Sequence, residues 1–132
     1  MGLVLLDSSV LIALLDPGDK HSTNCTFEFR RAKKFAENIF LISSVSIAES
    51  LVGSFKSSYT HALSIYALIL DIINRIILFD SKIAFRTAQI RSRLSFSLAD
   101  AMIVATAEEL DAELWTCDRK LVNKYKKVRY LG

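Results

Sequence analysis

Four carboxylates, Asp7, Glu49, Asp100 and Asp118, each stand where an apolar strand-like run or a hydroxyl-bearing turn passes into the start of a helix. Their contexts are Leu3-Val4-Leu5-Leu6-Asp7-Ser8-Ser9, Ser46-Ile47-Ala48-Glu49, Ser97-Leu98-Ala99-Asp100-Ala101 and Leu114-Trp115-Thr116-Cys117-Asp118. Positions of this kind let side chains from distant segments converge. Carboxylates gathered within a few ångströms in partly dehydrated surroundings cannot all stay ionised without a counter-charge. A hard dication supplies one, and oxygen-only ligands with retained waters suit Mg²⁺ or Mn²⁺, as one ion or two. Such a centre suits phosphodiester chemistry.

Each acid also has a purely structural reading. Ser46-x-x-Glu49 and Ser97-x-x-Asp100 satisfy the capping-box pattern, Asp118 can cap a helix starting at Arg119, and the macrodipole favours an acid near any helix start. Asp80 ends the apolar run Ile76 to Phe79 and reads as a cap on an edge strand's exit. Asp16, Asp19 and Asp111 lie in turn or exposed contexts, and Asp71 interrupts an apolar helix as a surface or interface charge. His21 and His61 belong to unrelated patterns and read as surface histidines. Cys25 and Cys117 lack CxxC or His spacing, so they read as small buried thiols rather than zinc ligands or a disulfide framework.

The elements that must position the acids alternate in type. Leu3 to Leu6, Ile39 to Ile42, Ile76 to Phe79 and Glu113 to Thr116 read as strands buried on both faces, with a last short strand at Val128 to Leu131. Helical patterns run from Ser9 to Leu15, Ser22 to Asn38, Val45 to Phe55, Tyr59 to Asn74, Ser81 to Leu94 and Leu98 to Leu110. Such alternation predicts an α/β fold: right-handed crossovers and a small parallel sheet of four or five strands flanked by helices, with ligands at the carboxyl ends of the strands. The length of 132 residues fits one domain over 1–132. The 52% hydrophobic content supplies a core, and four glycines and one proline argue against a disordered tail.

The apolar start has no basic leader and is interrupted by Asp7, so it does not read as a signal peptide. Ala62 to Phe79 contains Asp71, Asn74 and Arg75, which argues against a membrane span and for a cytoplasmic protein. The net charge of +3 is unevenly spread. Arg30, Arg31, Lys33 and Lys34 form one cluster, and Arg119, Lys120, Lys124, Lys126, Lys127 and Arg129 crowd the end; either could neutralise phosphates or simply be solvated.

Four segments in chain order carry a resemblance: Leu5-Leu6-Asp7-Ser8-Ser9-Val10-Leu11-Ile12-Ala13-Leu14, Ser46-Ile47-Ala48-Glu49, Leu98-Ala99-Asp100-Ala101-Met102-Ile103-Val104-Ala105-Thr106-Ala107, and Leu114-Trp115-Thr116-Cys117-Asp118. Together they resemble the PIN-domain nucleases, with the VapC-type toxins of prokaryotic toxin–antitoxin pairs as the nearest subgroup. Asp-Ala-x-Ile-x-Ala-x-Ala is the most specific stretch. That resemblance implies a PIN-like Mg²⁺- or Mn²⁺-dependent ribonuclease in which Asp7, Glu49, Asp100 and Asp118 are the catalytic, metal-holding acids and Ser9 and Thr116 support them. It also implies a cognate antitoxin partner. Phe96-Ser97-Leu98 stands where many relatives have a proline before the third acid, and Leu121 where they have an aromatic after the fourth; these departures bear on loop shape and substrate choice.

Candidates for the RNA phosphate track are Arg30, Arg31, Arg91, Arg93, Arg119 and Lys120, needed because an acidic pocket alone repels RNA. Apolar excess at Ile12, Leu15, Val52, Phe55 and the segment Phe27 to Phe35 predicts self-association as a homodimer and an apolar groove for a partner helix. Two competing readings share part of this pattern: a PIN-like RNA-processing factor, and a non-catalytic nucleic-acid- or protein-binding module.

Overall fold

Leu3 to Leu6 is apolar without alternation because both faces of its strand are covered. Val4 and Leu6 pack into one cluster with Val10, Ala13, Phe29, Phe40 and Trp115. Leu5 points the other way, among Leu41, Ile83, Ile90, Ile103, Val104 and Leu114. The computed structural model describes residues 2–132. In chain order the elements are β1 (Gly2–Leu6), α1 (Ser8–Leu15), α2 (Ser22–Lys33), β2 (Asn38–Ser43), α3 (Ser44–Ser57), α4 (Tyr59–Ile72), β3 (Arg75–Ile77), α5 (Ser81–Arg93), α6 (Leu98–Leu110), β4 (Glu113–Thr116) and β5 (Val128–Tyr130). A 3₁₀ turn, Arg119–Leu121, lies between β4 and β5.

All four strand pairings are parallel, in the order β3-β2-β1-β4-β5. The chain therefore builds outward from β1 through β2 to β3, then returns over α5 and α6 to lay β4 on the other side of β1. This reversal makes the carboxyl end of β1 a topological switch point, where the crevice between diverging crossovers opens. Asp7 occupies that position, and its backbone N–H donates to the carbonyl of Trp115 on β4 at 3.0 Å. Helices α1 and α2 cover one face of the sheet and α5 and α6 the other. Leu11 of α1, Ile42 of β2 and Ile69 of α4 form a third cluster, with Ile47 and Leu51 of α3 packed against it.

Several expected boundaries move, each for a local reason. Helix α2 stops at Lys33 rather than Asn38, because Asn38 turns its Nδ2 back onto the Ala32 carbonyl at 2.9 Å and enters β2. Helix α4 stops at Ile72 because Asn74 is taken by the sheet: its N–H donates to the Phe40 carbonyl at 2.9 Å, and its Oδ1 accepts from the Phe40 N–H at 2.7 Å. Strand β3 covers Arg75–Ile77 rather than 76–79, since Phe79 leaves the ladder to donate to Ser44 Oγ at 3.1 Å. Among the described residues no helix is long and apolar enough to cross a membrane.

Candidate metal centre

Asp7 sits in extended backbone between β1 and α1, with 7% of its surface exposed. Burial of a carboxylate requires donors, and three are in place. Its Oδ1 accepts from the Ser8 N–H at 2.8 Å, while Oδ2 accepts from Ser9 Oγ at 2.9 Å and Thr116 Oγ1 at 2.8 Å. Both hydroxyls also tie down the neighbouring loop: Ser9 Oγ accepts from the Cys117 N–H and Thr116 Oγ1 from the Asp118 N–H, each at 3.0 Å. The end of β1, the start of α1 and the exit of β4 thus share one hydrogen-bonded knot. Desolvation nonetheless raises the Asp7 pKa above its ordinary value; the three donors pull it down only in part, and the Asp100 charge adds to the rise.

Glu49 comes from α3, whose N-cap is Ser43, with Oγ accepting from Val45 N–H at 3.1 Å. Ser46 is therefore inside the helix, and Ser46-x-x-Glu49 is not a capping box. The Glu49 carboxylate stands at the mouth of the crevice, exposed on one side. Partial burial of its other side raises its pKa, followed by the Asp7 charge, with a hydrogen bond from Ser8 opposing and Asp100 adding.

Asp100 lies in the first turn of α6, which is capped by Ser97: the Asp100 N–H donates to Ser97 Oγ at 3.1 Å. Its own carboxylate accepts no hydrogen bond among the described residues, so only half of the capping box is made. The half-buried carboxylate faces Asp7 and Glu49 closely enough to raise both their pKa values. Asp118 is different. Its Oδ1 accepts from the Lys120 N–H at 3.0 Å and caps the 3₁₀ turn, and its charge is not among those acting on Asp7 or Glu49. Asp80 caps α5, accepting from Ile83 N–H at 2.9 Å.

The donor chemistry fits a hard dication: oxygen ligands only, two of them with raised pKa values that a positive charge would bring down. Among the described residues, no group of three or more Asp, Glu, His or Cys side chains stands close enough to encage an ion by itself.

The expected basic residues are dispersed. Arg91 and Arg93 are exposed on the last turn of α5, just before the loop that leads to Asp100, and Lys120 is exposed two residues beyond Asp118. Arg119 lies over the Tyr130 ring at 5.4 Å. Arg30 and Arg31 lie on the last turn of α2 beside a groove of about 660 Å³ lined also by Phe27 and Lys34, and Arg31 is paired with Glu28 at 3.0 Å. His61 is exposed and His21 half-exposed. A groove of about 530 Å³ runs from Glu49 between α1, α3 and α4, lined by Ile12, Leu15, Gly53, His61 and Ile65.

Sequence reasoning missed Ser8, which touches both Asp7 and Glu49, although its place beside Asp7 in a hydroxyl pair was a signal. It also missed the meeting of Cys25 and Cys117, whose sulfurs lie 3.3 Å apart. No local pattern links residues on α2 and after β4. Ser46 is buried, and its hydroxyl has no partner among the described residues.

The family model for the PIN domain matches residues 4–127. No curated protein sequence matches the chain. Solved structures do. The VapBC2 complex of Rickettsia felis bound to a DNA fragment from its promoter is similar with a TM-score of 0.77 at 21% identity, covering 97% of this chain and 98% of that one. A toxin–antitoxin complex from Klebsiella pneumoniae gives a TM-score of 0.72 at 25% identity over 98% of both chains. VapC20 of Mycobacterium tuberculosis, a toxin that cleaves the sarcin–ricin loop, gives 0.71 at 16% identity over 96% of this chain and 98% of that one.

Proposed function

This chain belongs to the PIN-domain family, and from that premise we propose that it is a Mg²⁺- or Mn²⁺-dependent endoribonuclease acting in the cytoplasm as the toxin of a VapBC-like pair. The observation that carries the reading is that Asp7, Glu49 and Asp100, from three separate elements, act on one another electrostatically near the switch point of the sheet, with the pKa values of Asp7 and Glu49 raised. Family membership and the likeness to toxin–antitoxin structures support it.

Asp7, Asp100 and Glu49 would hold the cation, and when bound it stabilises the charge that develops on the phosphate and makes water nucleophilic near neutral pH. The chain's own contribution is orientation. Ser8, Ser9 and Thr116 fix the Asp7 carboxylate before any ligand arrives, which removes part of the ordering cost of binding. Asp118, committed by Oδ1 to the 3₁₀ turn, would complete the shell with its other oxygen, hold a second ion or position the attacking water. Arg91, Arg93, Arg119 and Lys120, all on the surface, would offset RNA's charge, and Arg30 and Arg31 would extend the track along α2. The apolar groove beside Glu49 would take an antitoxin segment, and the exposed apolar surface of α3 and α4 a second copy of the chain.

The test is thermal and enzymatic together. Mn²⁺ should raise the melting temperature of the wild type, because the ion binds the folded pocket and not the dispersed acids of the unfolded chain. Asp100→Asn should abolish most of that rise and the cleavage of RNA. Identical responses to Mn²⁺ in the two proteins would remove the site assignment.

A further inference from the structure

Cys25 on α2 and Cys117 just beyond β4 are separated by 92 positions in sequence, yet their sulfurs lie 3.3 Å apart. Both are free thiols. Cys25 is fully buried in the cluster formed by Val4, Leu6, Phe29, Phe40 and Trp115, whereas Cys117 is partly open to solvent. We infer that this pair is a redox modification site at which a peroxide closes an intramolecular disulfide, clamping α2 to the β4 exit beside the carboxylate crevice.

A bonded pair of sulfurs stands at ~2.05 Å, so closure needs an approach of roughly one ångström. The chemistry is a two-electron oxidation. The accessible Cys117 sulfur attacks the O–O bond of hydrogen peroxide and becomes a sulfenic acid while one water leaves. The Cys25 sulfur, already in contact, attacks the sulfenic sulfur; the S–O bond breaks, the S–S bond forms and a second water departs. Peroxide is reduced to two waters, which take up the two thiol protons. Burial of Cys25 leaves Cys117 as the only sulfur it can meet, so the bond forms within the chain.

The position gives the bond a consequence. The Cys117 N–H holds Ser9 Oγ, and Ser9 Oγ holds Asp7 Oδ2. A cross-link at Cys117 therefore fixes the strand exit that the Asp7 knot depends on. The inference stands independently of whether the chain cleaves RNA.

The full chain is treated with hydrogen peroxide and compared with a dithiothreitol-reduced sample. Denaturing thiol titration should fall from two thiols to none, since the chain has two cysteines, and the intact mass should drop by that of two hydrogens. Mobility on a non-reducing gel should remain monomeric. The melting temperature should rise by roughly 5–15 °C, because the bond closes a long loop in the unfolded chain, and reductant should reverse every change. Cys117→Ser under the same treatment should keep its Cys25 thiol and its melting temperature. The inference is overturned by a wild type that gains oxygen on Cys117 while Cys25 still titrates, by cross-linked dimers, or by an oxidised form that melts no higher than the reduced one.

Discussion

Asp7 is the residue on which structure and chemistry meet, and its electrostatics make a signed prediction. Its pKa and that of Glu49 are raised above the ordinary 3.8 and 4.5. Without metal, the folded chain keeps protons that the unfolded chain has released, so this contribution to stability is lost as pH rises from about 4 through the raised values and stays absent above them. Opposite contributions come from Glu109 and Asp111, whose pKa values are lowered by Lys82 and Lys127, but the lysine of each pair is open to solvent, which screens the interaction. The wild-type stability in chelator, minus that of Asp7→Asn, should therefore fall between acidic and neutral pH, and Mg²⁺ should reverse the fall. At neutral pH Asp7→Asn should unfold within about 1 kcal/mol of wild type, or be more stable, while losing RNA cleavage. A difference that grows with pH would contradict the assignment. Thr116→Val is the complementary change. It strips a donor from the buried Asp7 carboxylate and an acceptor from the Asp118 N–H, so urea denaturation should show a loss of about 1–3 kcal/mol.

At the scale of elements, the difference between a cap and a ligand becomes measurable. Asp80 spends its carboxylate on the Ile83 N–H, so Asp80→Ala should cost about 1 kcal/mol in denaturant unfolding and leave the response to Mn²⁺ untouched. Asp100→Asn should do the reverse, since Ser97 carries the cap of α6 and the Asp100 carboxylate carries none of it. The sequence could not separate these cases, because Ser97-x-x-Asp100 and Asp80-Ser81 both look like caps until side-chain partners are seen. The parallel sheet was legible, because unbroken apolar runs such as Leu3 to Leu6 occur where both faces are buried. The strand and helix ends were less so: where α2 and α4 stop is decided by Asn38 and Asn74, each through bonds to a backbone outside its own local pattern. Glu49 illustrates the same limit. Its Ser46 partner in the motif is interior to α3, and the true cap, Ser43, lies in the last residue of β2.

For the whole molecule the notable excess is apolar: single residues such as Leu78, Phe85 and Leu98 stand out on several elements, and the densest run is on α3 and α4. Val52 and Phe55 of α3 are 55% and 51% exposed, and Tyr59, Leu63, Tyr66, Leu68 and Leu70 of α4 continue the exposure, with Phe55 and Tyr59 rings 5.9 Å apart. The sequence signalled Val52 and Phe55, but not the apolar residues of α4, where only Asp71 was read as a surface or interface charge. Helix α4 packs on α3 and reaches the sheet beside Ile42 of β2, so only a few of its residues, Ala62 and Ile69 among them, enter the core. An uncovered apolar face of this extent marks an interaction surface, and its exposed residues are not among those lining the groove that begins at Glu49. A second copy packed through α3 and α4 would cover the first, leaving the groove free for a partner helix whose basic residue could approach Asp7 and compete with metal. Light scattering should accordingly report a dimer at micromolar concentration, and Val52→Asp with Phe55→Asp should convert it to a monomer that still binds Mn²⁺ with an undiminished rise in melting temperature. A wild type that is monomeric at high micromolar concentration, or a double variant that still scatters as a dimer, would refute this assignment of the two surfaces.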